Sequence, residues 1–269
     1  MQGGGLGRRR TRRGAAGGEH ARDLAFAVLS PLALLAVWEI TVRVGVLDER
    51  FFPAPTSIVS TLVETIESGE LLANTGISLR RMFLGMLVGG TPALLLGLVM
   101  GLYRPIRVAV DPLIAATYPI PKSAILPLLL LIFGLGEGSK IAMVAIGVFF
   151  PVAINTTAGV LEIDRIYHDV GKNYGAGRWQ TFRTIALPGA MPLILTGVRL
   201  GFGIGLILIV IAEMVGAKSG LGYMIWNAWQ IFQVEVMYVG LIVISVIGVL
   251  FTLVLSELER LLVPWRTAR

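Results

Sequence analysis

Three stretches of about twenty residues without a charged side chain constrain this chain more than any other feature. They are residues 82–103, 141–161 and 236–256. An α-helix rises 1.5 Å per residue, so roughly twenty residues reach about 30 Å, the thickness of the hydrocarbon core of a bilayer. Only 15% of the 269 residues are charged, against roughly a quarter in soluble domains. The chain is therefore predicted to be an all-α, multi-pass membrane protein, which excludes a soluble enzyme, a disordered chain and a nucleic-acid-binding protein.

Hydropathy predicts about six membrane-spanning helices in one domain, residues 23–265. Their expected bounds are 24–44, 83–103, 109–133, 139–160, 192–215 and 236–256. Glycines four residues apart recur in the second and fifth spans, as at Gly85 and Gly89 or Gly197 and Gly201. Such pairs let two helices approach closely. Both spans are therefore expected to pack against protein rather than lipid.

The third span is irregular because it contains several prolines, which remove backbone donors and discourage helix at the preceding residue. Broken backbone at membrane depth is tolerated only where it is buried in protein or lines a water-filled space. Residues 111–127 are therefore expected to face the interior of the helix bundle. Just before the second span, residues 56–67 place their apolar side chains on one face and predict an amphipathic helix.

The distribution of basic residues predicts the orientation in the membrane. Residues 1–22 are rich in Gly and Arg and lack apolar periodicity, so they are predicted to be a disordered basic tail, and 266–269 form a short second tail. A signal peptide also begins with basic residues, but no small-residue cleavage pattern follows the first apolar run. With both termini in the cytoplasm, most Arg and Lys residues fall in inner segments, as the positive-inside rule requires. Arg80 and Arg81 argue mildly against this orientation, since they would lie beside a span on the outer side.

Residues 162–191, here called the 162–191 loop, are too polar to span and predict two short amphipathic helices. The first carries Ile166, Tyr167, Val170 and Tyr174 along one side, and a glycine-rich turn at residues 175–177 ends it. The second carries Trp179, Phe182 and Ile185 at helical spacing. From the residues alone, two interpretations stay open. The loop lies on the membrane surface, or it docks into a groove on a soluble partner.

The spacing of this loop resembles a known motif. In order, the loop contains Asp169-Val170-Gly171, three residues, Gly175, nine residues, Ile185, one residue and Leu187-Pro188. This spacing is similar to that of the EAA loop of permease subunits of binding-protein-dependent ABC importers. The first triplet departs from the motif, because Asp, Val and Gly stand where the family has Glu, Ala and Ala. Further segments resemble the nitrate/sulfonate/taurine branch of these permeases: 52–55, 78–81, 119–128, 133–136, 175–179, 187–192, 196–199 and 220–223.

The resemblance implies a fold, partners and a location. The fold is that of a type I ABC importer permease, and the partners are an ATP-binding subunit, a periplasmic or lipid-anchored solute-binding protein and a second, normally identical permease copy. The subunit would lie in the lipid of the cytoplasmic (inner) membrane, with ATP bound by the partner and no cofactor or nucleic acid of its own. The solute would be small and anionic, of the nitrate, sulfonate or taurine kind. The residues implied to dock the ATPase are Asp169, Gly171, Tyr174, Gly175, Trp179, Phe182, Ile185, Leu187 and Pro188.

The sequence itself offers no catalytic or metal site. It lacks the G-x-x-x-x-G-K-[ST] phosphate-binding loop, so ATP must be hydrolysed by another polypeptide. Neither G-x-S-x-G nor H-E-x-x-H occurs, which removes support for an intramembrane hydrolase or zinc protease. The chain has no cysteine, which excludes thiolate metal ligands and a cysteine nucleophile.

Three ionisable residues near membrane depth are candidates for a substrate pathway: Lys122, Arg199 and Glu213. Plainer interpretations compete with that role. Lys122 and Arg199 would snorkel to an interface, and Glu213 would pair with Lys218 or with a neighbouring subunit near the outer end of its helix. An ion-coupled secondary transporter remains the alternative. It would need midplane carboxylates, and only Asp111 and Glu213 come near.

Overall fold

The computed structural model describes residues 10–266, which form helices joined by short turns and contain no strand. The chain divides into two compact units between residues 63 and 64. The α-helices are α1 Arg10–Arg43, α2 Pro55–Glu67, α3 Glu70–Leu102, α4 Arg104–Thr117, α5 Leu126–Phe133, α6 Glu137–Leu161, α7 Arg165–Asn173, α8 Arg178–Thr181, α9 Leu187–Gly216, α10 Leu221–Gln230 and α11 Val234–Leu262. Short 3-10 turns cover Lys122–Ile125 and Pro264–Arg266, and a π-helical turn, Phe182–Ala186, joins α8 to α9.

Within the described residues, four helices are long and apolar enough to cross a membrane: α3, α6, the continuous α8–α9 helix and α11. A fifth candidate is α4 together with residues 122–133, which are bent by 85° as in a broken span or a re-entrant loop. The all-α, multi-pass prediction is confirmed, and the proline-rich third span is broken as predicted. The first predicted span, residues 24–44, lies within α1 except for its last residue. That helix is not among the four, and its membrane crossing stays a prediction.

Helix α1 begins at Arg10, inside the segment predicted to be a disordered tail of residues 1–22. Residues 1–9 and 267–269 lie outside the described part of the chain, and the tail predictions there stay predictions. At the other end of α1, Glu39 accepts hydrogen bonds from the backbone N–H of Thr56 at 3.1 Å and from its hydroxyl at 2.8 Å. This carboxylate therefore ties the first turn of α2 to α1.

Helices α3, α6 and α9 form the centre of the second unit. Met82, Val144, Val148 and Phe202 lie buried where these three helices meet. The glycine spacing has the predicted effect, because a Cβ atom added at Gly89 would collide with the backbone of Ala145 on α6. Backbone therefore packs directly on backbone between α3 and α6. The predicted amphipathic helix of residues 56–67 is observed as α2.

Candidate functional site

The 162–191 loop folds as two short helices at one end of α6 and α9. The carboxylate of Asp164 accepts a hydrogen bond from the backbone N–H of Ile166 at 3.0 Å and so caps α7. The chain then reverses at Gly175, whose φ of +72° lies in the left-handed region that favours glycine. Helix α8 runs through the π-helical turn into α9 without a break. The predicted pair of amphipathic helices and the glycine turn between them are therefore present.

One side of this loop is uncovered by the described residues of its own chain. Tyr174 is 88% exposed and Trp179 is 71% exposed. Ile166, Tyr167 and Val170 of α7 are also exposed. Apolar side chains at this exposure make a surface that a partner or a membrane could cover.

Other predicted docking residues face inward and join the loop to the bundle. Phe182 and Leu187 pack against the buried Val160 and Ile194. The side chain of Ile185 lies against Gly171, where an added Cβ would be 2.9 Å from its Cδ1 atom. The predicted set therefore separates into an exposed part, with Tyr174 and Trp179, and a part that packs inside the chain.

The remaining docking residues lie on the edges of the loop. Asp169 is exposed and lies 3.9 Å from Lys172 on the same helix. Pro188 lines a cleft of about 800 Å³ between the loop and the end of the bundle. Its other lining residues are Gly159, Glu162, Ile163, Asp164, Tyr167, Thr184, Ile185, Gly189, Pro192, Leu193 and Trp265.

A buried polar cluster lies at the opposite end of α6 and α9. We call it the Arg81 cluster; its members are Asn74, Ser78, Arg81, Glu137, Lys140 and Glu213. Arg81 is 2% exposed, and its Nη1 atom lies 2.8 Å from Oε1 of Glu213, which is fully buried. Its Nη2 atom lies 2.5 Å from Oε1 of Glu137. One guanidinium on α3 therefore joins the start of α6 to the end of α9.

The Arg81 cluster also holds the first turn of α10. Three successive backbone N–H groups, those of residues 220–222, donate to side chains of other helices. The acceptors are Asn74 Oδ1 at 2.8 Å, Ser78 Oγ at 2.8 Å and Glu213 Oε2 at 2.9 Å. Helix N-termini leave such donors without partners inside the helix, so these side chains complete the start of α10. Gly220 is required for the fit, because its φ is +110° and an added Cβ would collide with the Glu213 carboxylate.

Lys140 adds a second cation to this cluster. It is 1% exposed, and its ammonium group donates to the carbonyl of Leu135 and, at 2.5 Å, to that of Gly216. A cation at a helix C-terminus is stabilised by the carbonyls that the helix leaves free. Lys140 therefore fixes the end of α9 against the α5–α6 turn.

The three predicted pathway residues have different surroundings. Glu213 is fully buried and is paired with Arg81 rather than with Lys218; its place in a substrate pathway stays a prediction. Arg199 bonds to Ser256 at 3.3 Å and to Glu259 of α11 at 3.2 Å. Lys122 donates to the last carbonyls of α4.

Sequence reasoning missed the Arg81 cluster. In the sequence, Arg81 stands out only as a charge beside a span, although the segments 78–81 and 220–223 both resemble the permease family. The contact between these two segments depends on side chains that are more than 130 residues apart in sequence, such as Arg81 and Glu213. No local sequence pattern indicates such a contact. Within the described residues, no group of three or more His, Cys, Asp or Glu side chains could hold a metal ion.

Comparison with known proteins identifies related chains. The family model of the binding-protein-dependent transport system inner membrane component matches residues 93–267. The aliphatic sulfonates transport permease protein SsuC of Bacillus subtilis is 36% identical over 241 residues, which cover 90% of this chain and 87% of the SsuC chain. The taurine transport system permease protein TauC of Escherichia coli is 32% identical over 250 residues, 91% of each chain. The formylaminopyrimidine transport permease protein ThiX of Halalkalibacterium halodurans is 30% identical over 237 residues, covering 87% of this chain and 93% of its own.

Proposed function

Since this chain belongs to the family of binding-protein-dependent transport system inner membrane components, we propose that it imports an organosulfonate of the taurine type. The support for this solute is the identity of 32–36% with relatives named for sulfonate and taurine transport, over about nine tenths of this chain. The relative named for formylaminopyrimidine transport is less similar, at 30%.

Family membership establishes the general activity. The chain is a multi-pass permease subunit of an ABC importer, a transport component rather than an enzyme. It works with an ATP-binding subunit and a solute-binding protein. An ion-coupled secondary transporter is not favoured, and one of its two candidate carboxylates, Glu213, is already bonded to Arg81, Ser78 and a backbone N–H group.

In the proposed mechanism, the exposed side of the 162–191 loop docks into a groove of the ATP-binding subunit. Tyr174 and Trp179 are the anchors, because large exposed aromatic side chains give the most binding energy when a partner covers them. Gly175 sets the turn that presents α7 beside α8. Phe182 and Ile185 pack against the rest of the chain rather than contact the partner. Through these contacts, movement of the loop is passed to the helix bundle.

Movement of the loop would reach the other end of the protein through one helix. Residues 178–216 form a continuous helix of 39 residues, roughly 58 Å long at 1.5 Å per residue. It begins beside Trp179 at the loop and reaches Glu213 in the Arg81 cluster. A rocking motion driven by the ATPase at one end would therefore displace the Arg81 cluster, and with it the first turn of α10, at the other end.

The proposal includes a second permease copy and a location in the cytoplasmic membrane with both termini inside. The exposure of α11 supports a further neighbour, either protein or lipid, since only 17% of the most apolar part of this helix is buried within the chain. A face this apolar needs cover from lipid or from a second copy. Most basic residues then lie on the cytoplasmic side, consistent with the positive-inside rule.

Reconstitution tests the function. The permease, its ATP-binding subunit and its solute-binding protein are placed together in liposomes, and ATP-dependent uptake of labelled taurine and ethanesulfonate is measured. We expect uptake of a sulfonate to require all three components and to resist competition by nitrate. Uptake of nitrate or of an uncharged solute in preference to every sulfonate would contradict the proposed solute. Transport without the ATP-binding subunit would contradict the mechanism.

A further inference from the structure

Lys122 lies at the bend of the broken span, in the first position of the 3-10 turn after α4. Its ammonium group donates to the carbonyls of Thr117 at 2.9 Å and Tyr118 at 3.0 Å. It also lies 4.1 Å from the centre of the Phe150 ring and 5.7 Å from that of Tyr118. The side chain is therefore folded back over the end of α4 and held against two aromatic rings.

This cation is deep in the membrane-spanning part of the protein. Phe150 belongs to α6, a candidate span of 25 residues that begins at Glu137. At 1.5 Å per residue, Phe150 lies roughly 20 Å from one end of α6 and roughly 17 Å from the other. The ammonium group of Lys122 therefore lies close to half the membrane thickness, where an ionisable side chain is costly and usually functional.

Lys122 has no carboxylate in its described surroundings, whereas Lys140, which is also bonded only to carbonyls, lies near Glu137 and Glu213. Arg81 is paired with Glu137 and Glu213, and Lys140 lies in the same cluster. Arg199 is paired with Glu259. Among the side chains that the structure describes, no carboxylate lies within 4.0 Å of the Lys122 ammonium. An ammonium group has three N–H donors, and carbonyls take two of them, so the positive charge and one donor remain for an anion.

The surroundings of Lys122 are aromatic and partly open. Tyr118 and Phe150 stand with their ring centres 5.9 Å apart. Tyr118 is 51% exposed and Lys122 is partly exposed, so the ammonium group is not closed off by its own chain. A cation beside aromatic faces suits a ligand with an anionic head and a short carbon chain.

We infer that Lys122 is a mid-membrane binding site for the sulfonate group of the solute, with Tyr118 and Phe150 covering its carbon chain. The solute class rests on the proposed function, whereas the anion site rests on the geometry of Lys122. A sulfonate offers three oxygen acceptors to the free donor and neutralises the uncompensated charge. The cation would then lower the cost of carrying an anion through the middle of the membrane.

The absence of cysteine makes a direct test possible. Ser123, the exposed neighbour of Lys122, is replaced in the Ser123→Cys variant of the assembled transporter. Its reaction rates are measured with sulfonatoethyl methanethiosulfonate, an anion, and with trimethylammonioethyl methanethiosulfonate, a cation. The rate ratio of the anionic to the cationic reagent is then measured again after adding Lys122→Met. A nearby positive charge should raise this ratio by about tenfold or more, and Lys122→Met should abolish the increase.

Two controls make the result decisive. Lys218→Met removes an exposed lysine of the turn before α10 and should leave the ratio unchanged, while Lys122→Arg should keep the ratio high. Ethanesulfonate should slow the anionic reagent when Lys122 is present. Equal ratios with and without Lys122, or no reaction of the introduced thiol with either reagent, would overturn the anion site.

The test separates this inference from the proposed solute. If the reconstituted wild-type protein takes up no sulfonate but the reagent ratio depends on Lys122, the anion site stands and the sulfonate assignment fails. If taurine is taken up and the ratio does not depend on Lys122, the site fails and the assignment stands. Where both hold, Lys122→Met should raise the KM for ethanesulfonate uptake about tenfold while the complex with the ATP-binding subunit still forms.

Discussion

Arg81 is held by two carboxylates of very different exposure, which allows the fully buried contact to be tested against a partly exposed one. The side chain of Glu213 is fully buried and that of Glu137 is 44% exposed. Removing one partner of a fully buried ion pair leaves a charge without compensation, whereas a pair with one solvent-exposed partner contributes less. Glu213 also accepts from Ser78 and from the backbone of Gly222, so its loss leaves further donors unpaired.

We therefore predict that Glu213→Gln lowers the stability of the purified protein by about 3 kcal/mol or more, whereas Glu137→Gln lowers it by about 1 kcal/mol or less. The midpoint of thermal unfolding in detergent measures both. Equal losses for the two variants would show that the burial of Glu213 does not decide the strength of the contact.

Gly220 gives a second prediction at a single residue. Gly220→Ala should be destabilising for two reasons: its φ is +110°, and the new Cβ would meet the Glu213 carboxylate. The loss should be about 2 kcal/mol or more, since the backbone conformation alone costs roughly 1–2 kcal/mol for other residues. The control is Gly203→Ala in α9, where nothing lies within 4 Å of an added Cβ. The same unfolding measurement should find that this control is as stable as the wild type or more stable. A destabilised control would contradict the argument that the space around the added Cβ decides the effect.

At the scale of helices, the 162–191 loop contains two neighbouring aromatic residues with different surroundings. Trp179 and Phe182 stack with ring centres 5.5 Å apart, yet Trp179 is exposed and Phe182 packs into the bundle. Trp179→Ala should leave unfolding almost unchanged and weaken binding of the ATP-binding subunit by about tenfold or more. Phe182→Ala should lower stability by about 2 kcal/mol, because the partly buried ring loses its packing against the bundle.

Pull-down of the ATP-binding subunit and thermal unfolding together separate these two effects. Unchanged binding by Trp179→Ala would contradict docking through the exposed side of the loop. Loss of binding without loss of stability in Phe182→Ala would place Phe182 in the docking surface instead.

How much of these helices the sequence predicts depends on the range of the contacts involved. Four spans, the broken helix pair between the first and second of them and the two helices of the loop follow from periodicity, prolines and glycines, all of which act over a few residues. The inward direction of Phe182 and Ile185 does not follow, because both lie in the π-helical turn Phe182–Ala186, whose spacing differs from that of an α-helix.

At the scale of the whole molecule, the Arg81 cluster and the 162–191 loop lie at opposite ends of the same helices. Helix α9 has 30 residues, roughly 45 Å at 1.5 Å per residue, enough to separate the two membrane faces. The Arg81 cluster joins parts of the chain that are far apart in sequence. Only the folded structure therefore reveals that the end with this cluster is held by buried polar contacts and that the end with the 162–191 loop is uncovered.

This arrangement predicts opposite accessibility for the two ends. In the cysteine-free chain, produced without its ATP-binding subunit so that the loop stays uncovered, Tyr174→Cys should react with a membrane-impermeant maleimide only from the cytoplasmic side, because the 162–191 loop must meet an ATP-binding subunit there. Lys218→Cys, next to the Arg81 cluster, should react only from the outside. Labelling of intact spheroplasts and of inside-out vesicles compares the two, with each variant serving as the control for the other. Labelling of Tyr174→Cys in intact cells would place the loop on the outer face, out of reach of any cytoplasmic ATPase, and would contradict the coupling mechanism as a whole.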